Sequence, residues 1–218
     1  MAAEILQQAV GRPVTYEADG SKPWTSSIFK EPTDLRIALR ETHLEGDEVA
    51  DRRHHGGADK AVLAYGARQY EAWSRGKSGP SYSFPWGAFG ENWTVSELSE
   101  DSVFLGDVFA VGSARVQVSQ PRQPCWKLSR RWKIRDLTRH AQESGRLGWY
   151  LRVLEVGEVA VGDALELLER PLPDWPLERL NDLKYRDRKN ARDAAFLAEC
   201  PLLAEAWRKT FRKRASAA

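Results

Sequence analysis

The sequence predicts a mainly β fold, a barrel or sandwich of short strands with a few helices, followed by a small C-terminal subdomain of three helices. Residues 1–170 contain short stretches of alternating or β-branched apolar residues, which are typical of strands. The segment ERPLPDWP (169–176) contains three prolines and interrupts that pattern, and apolar residues beyond it recur at helical spacing. We therefore place a β domain at residues 1–170 and a helical subdomain at residues 171–218.

Strands are predicted where apolar residues alternate or β-branched residues cluster. The clearest segments are VTYEA (14–18), LRIAL (35–39), KAVLAY (60–65) and ARVQVSQ (114–120). A Gly-Asp pair also lies between apolar stretches twice, in VFLGDVFAV (103–111) and VAVGDALEL (159–167). Such a pair is typical of a tight turn that links two strands. The two copies are too short to establish a duplication, but they favour a barrel or sandwich of short strands.

Two helices are predicted between the strands of the β domain. GARQYEAWSR (66–75) has Tyr70 and Trp73 at helical spacing, and IRDLTRHAQESG (134–145) ends at Gly145, a typical helix terminator.

Three helices are predicted beyond the proline-rich segment. The first, in PLERLNDLKYR, follows Asp174. The second begins at Asn190, with Asp193 three residues further on, which is the spacing of a capping box. The third begins with Pro201, a residue that suits the first turn of a helix.

The last predicted helix ends with a run of cations: Arg208, Lys209, Arg212, Lys213 and Arg214. One interpretation is a solvated helix end that the helix dipole favours. The other is a docking surface for an acidic partner.

Composition limits the class of protein. Hydrophobic residues make up 42% of the 218 residues, enough for a real core, and 33 basic against 31 acidic residues leave a net charge of +2. That balance argues against a dedicated nucleic-acid or membrane binder. No apolar run approaches the ~20 residues that cross a bilayer, and the N-terminus lacks the pattern of a signal peptide. Two cysteines allow at most one disulfide, so we expect a cytoplasmic protein.

Three stretches combine glycine, polar and cationic residues in a way that could form a site: DRRHHGGADKAV (51–62), GAFGENW (87–93) and SQPRQPCWKL (119–128). Each alone is weak, because glycine pairs are common in turns and a lone cysteine is usually a small buried apolar residue. The first stretch offers backbone N–H groups that can approach an anion closely, bracketed by Arg52, Arg53 and Lys60.

The third stretch fixes a thiol in basic surroundings. Pro121 and Pro124 restrict the backbone around Cys125, while Arg122 and Lys127 favour the ionised sulfur. Thiolate is a soft ligand for a transition metal. Cations and glycine amides suit phosphate, so a phosphorylated organic cofactor that carries a metal would use both features.

Other chemistries lack their signatures. No CxxC or HxxxH spacing supports structural zinc. A cysteine enzyme would need a histidine base, and none of the four histidines lies in a recognisable motif: His43, His54, His55 and His140. No P-loop or dinucleotide fingerprint is present, and two cysteines are too few for an iron–sulfur cluster. A redox enzyme of this sequence would therefore need an external electron-donor reductase.

The three stretches and the Gly-Asp turn, in this order and spacing, resemble the MOSC domain, and specifically the bacterial YiiM type, whose chain also ends in a three-helix domain. The resemblance extends over essentially all 218 residues. It implies a MOSC-type β-barrel, and it implies that Cys125 ligates the molybdenum of a pterin cofactor or carries sulfur toward it.

The resemblance also assigns the site. Cys125 matches the family's cysteine and would be the catalytic residue and metal ligand. The positions that would bind the molybdenum cofactor match an HGG-x-x-K loop, an asparagine that faces the cofactor, and two cations that flank the cysteine: His55, Gly56, Gly57, Lys60, Asn92, Arg122 and Lys127.

The sequence departs from the family at two positions. Trp93 replaces a common leucine and could reshape the mouth of the pocket, and Ala58 replaces a common proline, which should loosen the loop slightly.

The activity implied by the resemblance is molybdenum-cofactor-dependent reduction of small N-hydroxylated compounds such as hydroxylaminopurines. Trp86, Phe89, Trp93 and Trp126 are candidates for stacking on a flat base, with core packing as the alternative. Two other functions stay open: a sulfur carrier with a persulfide on Cys125, and a non-catalytic module that binds the cofactor.

Overall fold

The computed structural model describes residues 3–18, 21–51, 54–76 and 80–216. Within these ranges the chain forms twelve strands, six α-helices and a short 3-10 helix at Ala58–Lys60. The strands are β1 (Ala3–Val10), β2 (Val14–Ala18), β3 (Ser21–Ser26), β4 (Glu31–Pro32), β5 (Ile37–Leu39), β6 (Val62–Gly66), β7 (Trp93–Val95), β8 (Val108–Val111), β9 (Ala114–Pro121), β10 (Trp149–Glu155), β11 (Gly157–Val159) and β12 (Ala164–Glu169). The helices are α1 (Ala67–Ser74), α2 (Lys127–Trp132), α3 (Leu137–Ser144), α4 (Leu177–Tyr185), α5 (Ala191–Glu199) and α6 (Glu205–Ala215).

Seven strands close into a barrel in the order β12, β8, β9, β10, β6, β7 and β1, with β1 pairing back to β12. Every pair in this ring is antiparallel except β6 with β7, which are parallel. Strand β4 adds to β1, and the pairs β2–β3 and β5–β11 lie outside the ring. The predicted mainly β fold is confirmed, with a barrel rather than a sandwich.

The barrel interior is filled by large side chains from alternating positions. Trp93 and Val95 on β7, and Trp149 and Leu151 on β10, are fully buried. The Trp93 indole N–H donates to Oε1 of Gln8 at 3.3 Å. The expectation that Trp93 shapes the mouth of a pocket is therefore wrong: its strand position turns the ring into the core.

Both Gly-Asp pairs form the same local structure. Each aspartate accepts a hydrogen bond from the backbone N–H three residues before it, at 2.9 Å for Asp107 and 2.8 Å for Asp163. The glycine in each pair has a positive φ, a conformation that glycine adopts without the steric strain that other residues would incur. The second pair links β11 to β12, as predicted, but these strands have different partners. The first pair leads only into β8, so neither pair forms a hairpin.

Two of the three α-helices in the β domain match predictions, and α2 was not predicted. Helix α1 buries Tyr70 and Trp73 on one face. Helix α3 ends at Gly145, which adopts a left-handed conformation with φ 73°, but the helix begins at Leu137 rather than at residue 134. Within the described ranges, no helix has the length and apolarity that a bilayer crossing requires.

The three predicted C-terminal helices are present as α4, α5 and α6. Helix α5 is capped as expected, because Oδ1 of Asn190 accepts a hydrogen bond from the Asp193 backbone N–H at 3.1 Å. Pro201 does not begin α6, which starts four positions later at Glu205. The intervening segment stays non-helical because Leu203 and Ala204 are buried and the Ala204 N–H donates to the carbonyl of Ser119 at 3.0 Å.

The C-terminal helices and the barrel share one hydrophobic core. Leu180, Leu197, Trp207 and Phe211 belong to the same continuous buried cluster as the barrel residue Trp149. Their burial stabilises the contact between the two parts by the usual hydrophobic contribution of roughly 25 cal/mol per Å². The domain boundary at residue 170 stays a prediction of the sequence.

Candidate functional site

A cavity of about 470 Å³ brings together the three stretches singled out in the sequence. Its wall contains all eight of the residues that the resemblance assigned to the site: His55, Gly56, Gly57, Lys60, Asn92, Arg122, Cys125 and Lys127. Arg52 and Arg53, expected to bracket the glycine loop, lie outside the described residues. The fold thus places the predicted residues together, while their roles stay predictions.

Cys125 lies in a short connection between β9 and α2, residues 122–126, which we call the thiol loop. The backbone holds both ends of this loop. The Arg122 N–H donates to the carbonyl of Gly148 at 2.9 Å. The Cys125 carbonyl accepts from the Leu128 N–H at 3.0 Å and from Oγ1 of Thr138 at 3.1 Å. The partly buried thiol is free and lies in the cavity wall.

His55 lies within hydrogen-bond distance of the thiol. Its Nε2 lies 4.0 Å from Sγ of Cys125. Burial, and then the nearby charges of Arg122, Lys60 and Lys127, lower the pKa of His55 to about 4. The imidazole is therefore neutral at pH 7. A neutral ring can donate to or accept from sulfur, but it cannot form the thiolate–imidazolium pair that activates the nucleophile of cysteine enzymes.

Arg122 contributes a buried cation with unused donors to the wall of the cavity. The residue is only 4% exposed, yet its Nε and Nη1 atoms are buried without a hydrogen-bond partner among the described residues. A buried guanidinium with unused donors is costly unless an anion accepts from them. The positive charge and the unused N–H groups of the guanidinium suit an anion such as phosphate, with Nε and Nη1 each available to a separate acceptor because they lie on different edges of the group.

The glycine loop keeps its backbone open toward the cavity. Gly57 has φ +86°, and a Cβ added there would meet no protein atom within 4 Å. Gly56 has φ +76°, and a Cβ there would lie 2.8 Å from Cγ2 of Val49. Lys60 closes the loop, because its Nζ donates to the carbonyl of His54 at 2.7 Å. The loop therefore offers exposed backbone and a nearby cation, a combination suited to an anion.

These donors fit a phosphorylated cofactor that carries a soft metal. Among the described residues, no group of three or more His, Cys, Asp or Glu side chains is arranged to hold a metal ion. The described part of the chain thus offers a metal the thiol of Cys125, and the metal's other ligands would come from the cofactor. Arg122, Lys60 and Lys127 supply the positive charge that phosphate requires.

Asn92 lies in the cavity wall, but its amide is occupied by the protein. Oδ1 accepts from the Leu63 N–H at 3.0 Å, and Nδ2 donates to the Ala9 carbonyl at 3.2 Å and to Oδ2 of Asp47 at 2.9 Å. The side chain therefore ties β1, β6 and Asp47 together. Any contact that it makes with a ligand would use only the remaining lone pair of the amide oxygen.

Sequence reasoning missed a buried ion pair in the same wall. Lys30 donates to Asp47, and the side chains are only 7% and 6% exposed. Asp47 also accepts from the Gly11 N–H at 2.8 Å. Burial lowers the pKa of Lys30, and Asp47 opposes that effect. Neither residue lies in a motif, and 17 residues separate them, so no local pattern could have found the pair.

Tyr150 on β10 was missed as well. It lies in the wall of the cavity and is 8% exposed, with Nζ of Lys60 5.8 Å from the centre of its ring. Burial raises the pKa of Tyr150, so the phenol keeps its proton at neutral pH. Tyr150 lies between Trp149 and Leu151, so strand alternation turns its side chain to the outer face of β10, and only the fold shows that the cavity lies against that face.

Of the four aromatic candidates for stacking, only Phe89 lies in the cavity wall. Trp93 is in the barrel core, as described above, and Trp86 is 44% exposed outside the wall. Trp126 is 53% exposed, and its ring centre lies 5.9 Å from that of Trp24. Trp93 thus takes the alternative role of core packing, and stacking by Trp86 or Trp126, which lie outside the wall, stays a prediction.

The basic end of α6 is partly used within the C-terminal helices. Arg208 pairs with Glu205 at 3.5 Å, and Arg212 pairs with the same carboxylate at 2.8 Å. Arg214 donates to the carbonyls of Leu183 and Lys184 at 2.8 and 2.6 Å. Docking of an acidic partner thus stays a prediction mainly for the other two cations of the run, which lie at positions 209 and 213.

Family comparisons agree with the fold and the site. The model of the MOSC domain matches residues 51–166, and the model of the YiiM-like 3-alpha helix domain matches residues 175–216. The chain therefore belongs to the MOSC-domain family, in its YiiM-like form with a C-terminal helical domain.

Individual relatives support this placement. The chain is 40% identical over 210 residues to the uncharacterized protein YflK of Bacillus subtilis (strain 168), covering 96% of this chain and 93% of YflK. The crystal structure of YiiM from Geobacillus stearothermophilus is similar with a TM-score of 0.80 and 36% identity, over 98% of this chain and 99% of that one. A protein of Gibberella moniliformis (strain M3125 / FGSC 7600) named "Reductase" is 35% identical over 180 residues, which are 82% of this chain but 31% of that protein.

Proposed function

We propose that this protein is a molybdenum-cofactor-dependent reductase of small N-hydroxylated compounds, such as hydroxylaminopurines, with Cys125 as the protein's ligand to the metal. The observation that carries the proposal is the pairing of two unused, buried Arg122 donors with a free thiol in one cavity. A cofactor with a phosphate at one end and a metal at the other uses both. Membership of the MOSC family and the relative named "Reductase" support the same class.

The chain's residues divide into a phosphate end and a metal end. The guanidinium of Arg122, the backbone at Gly57 and the cation of Lys60 would hold the phosphate. Sγ of Cys125 would hold the metal, and Nε2 of His55 would act as its hydrogen-bond partner. The bound molybdenum centre supplies the two-electron chemistry that removes the oxygen of an N–OH group.

Reduction of an N–OH group to an N–H group consumes two electrons and two protons and releases water. The phenol of Tyr150 keeps its proton in the cavity wall and is one candidate donor. The electrons would come from an external reductase, because the sequence has two cysteines and no dinucleotide fingerprint. The fungal "Reductase" contains much additional sequence beyond the 31% that this chain matches, which suits a redox unit that works with other modules. A cytoplasmic location suits the proposal, since reducing conditions keep the thiol free.

Analysis of protein purified from a host that makes molybdenum cofactor tests the proposal. We expect stoichiometric molybdenum and pterin, together with turnover of an N-hydroxylated base when dithionite supplies electrons. NADH alone should give no turnover, and a flavoprotein reductase should restore it. Labile sulfane sulfur on Cys125 without metal would indicate a sulfur carrier instead, and bound pterin without turnover would indicate a binding module. Either result would contradict the proposed reductase.

A further inference from the structure

The thiol loop is held from a second direction, by the C-terminal helices. In the orientation of its amide that satisfies both neighbours, Oε1 of Gln123 accepts from Nζ of Lys184 at 2.9 Å and from Nε1 of Trp207 at 3.2 Å. Gln123 lies two residues before Cys125, whereas Lys184 is on α4 and Trp207 is on α6. One amide thus connects the loop of the candidate site to two helices of the YiiM-like domain.

Lys184 is placed for this contact at an energetic cost. The residue is 8% exposed, and Nζ lies 3.9 Å from the centre of the Trp207 ring. Burial, and then the charges of Arg214 and Lys60, lower the pKa of Lys184 to about 7. Packing of α4 against α6 needs no charge here, and an apolar side chain would avoid the desolvation penalty. The buried ammonium is therefore stabilised by two contacts, the hydrogen bond to Gln123 on the thiol loop and the cation–π contact with the Trp207 ring.

Two further contacts tie the same helical domain to the site. The Ala204 N–H, just before α6, donates to the carbonyl of Ser119 at the end of β9. Nη2 of Arg152 donates to the Leu202 carbonyl at 3.1 Å and pairs with Oδ1 of Asp59 at 2.8 Å. Asp59 follows Gly57, so the segment before α6 contacts the end of β9 directly and is linked to the stretch 51–62 through Arg152.

We infer that Lys184 and Trp207 are positioning residues for Cys125, and that the C-terminal helices complete the site by fixing the thiol loop through Gln123. The effect on catalysis rests on the proposed function, but the effect on the thiol does not. With the contact broken, the loop loses its link to the C-terminal helices and keeps the bonds of the Arg122 N–H, the Cys125 carbonyl and the thiol, so the sulfur becomes more accessible. The groups that face the Lys184 ammonium are Gln123 on the loop, Trp207 and Arg214 on α6, and Lys60 across the cavity wall.

The test measures alkylation of Cys125 by iodoacetamide in the full-length, cofactor-free protein, from pH 5.5 to pH 9.5, with peptide mass spectrometry. Lys184→Met keeps the length of the side chain and removes its donors. We expect it to raise the alkylation rate about fivefold at pH 6, the factor that corresponds to one lost hydrogen bond of ~1 kcal/mol. Lys184→Arg should restore the slow rate, but without the change near pH 7 that deprotonation of the wild-type lysine produces.

Two companions keep the test decisive. Gln123→Ala removes the acceptor from the loop side, leaves the helices unchanged and should reproduce the faster alkylation even if Lys184→Met folds poorly. Lys189→Met, at an exposed cation between α4 and α5, is the matched control and should behave as wild type. Alkylation of Gln123→Ala at the wild-type rate across the pH range would overturn the inference. In cofactor-loaded enzyme we expect Lys184→Met and Gln123→Ala to lower kcat with little change in KM. A lack of any reductase activity in the wild-type enzyme would contradict the proposed function alone.

Discussion

Arg122 gives a prediction in which apo stability and cofactor binding change in opposite directions. Without a ligand, its guanidinium has two buried donors with no partner among the described residues. An unsatisfied buried donor costs about 1–3 kcal/mol, so two of them destabilise the cofactor-free protein by roughly 2–6 kcal/mol. Arg122→Met removes both donors and keeps most of the packing. Allowing for imperfect packing, we expect the apo variant to be about 2 kcal/mol more stable than wild type.

The same change should weaken retention of a phosphorylated cofactor at least ~30-fold, the equivalent of about 2 kcal/mol for a lost charged hydrogen bond. Urea unfolding of the apo proteins at pH 7 gives the first quantity, and pterin fluorescence after gel filtration gives the second. Arg170→Met is the matched control, because Arg170 pairs with the fully buried carboxylate of Asp107 at 2.8 Å. That variant should be destabilised by about 3 kcal/mol. An apo Arg122→Met protein that is less stable than wild type, or that retains the cofactor equally well, would refute the reasoning.

Three other predictions follow from the same geometry. Cys125→Ala should abolish reduction and lower the molybdenum content without changing the melting temperature. Cys200→Ala, at the buried end of α5, should leave activity in place. The reverse pattern would show that the site is misassigned. Gly57→Val should release the cofactor. Gly162 has the same φ of +86° and equally open space but lies outside the cavity, so Gly162→Val should share only the loss of stability from backbone strain. Equal pterin retention in the two variants would exclude a close approach of the cofactor to the Gly57 backbone. The pKa of Lys184 is about 7 in the folded protein against 10.5 ordinarily, so the unfolded chain binds the extra proton between these values. The stability of wild type relative to Lys184→Met should therefore rise as pH increases from 7 to 10.5, and a flat difference in urea unfolding would contradict the lowered pKa.

Local periodicity was enough to predict most elements of this fold. Alternating apolar residues identified β2, β6 and β9, and helical spacing identified α1 and the three C-terminal helices. Such patterns report which face of an element is buried, but not which strands pair. The closure of β1 on β12 joins residues 3 and 165, and no local signal in either strand encodes that choice.

The candidate site shows the same division between local and long-range information. The resemblance identified eight residues that the fold brings to one cavity. The Lys30–Asp47 pair, the phenol of Tyr150 and the contact of Gln123 with Lys184 were not predicted, because each depends on residues that meet only after folding. The expectation that Trp93 lies at the pocket mouth failed for a related reason. An aromatic residue beside a polar motif can face either side of its strand, and the pairing of β7 with β1 and β6 decides which side it faces.

The central claim is that the sulfur of Cys125 is bonded to molybdenum, and X-ray absorption at the molybdenum K-edge measures this most directly. Wild-type protein and Cys125→Ser would be loaded with cofactor to the same molybdenum content before their spectra are compared. We expect one more sulfur neighbour in the wild-type spectrum than in that of the variant, because serine offers oxygen in place of thiolate. Equal sulfur shells in the two proteins would contradict the claim and assign the thiol a role other than metal ligation.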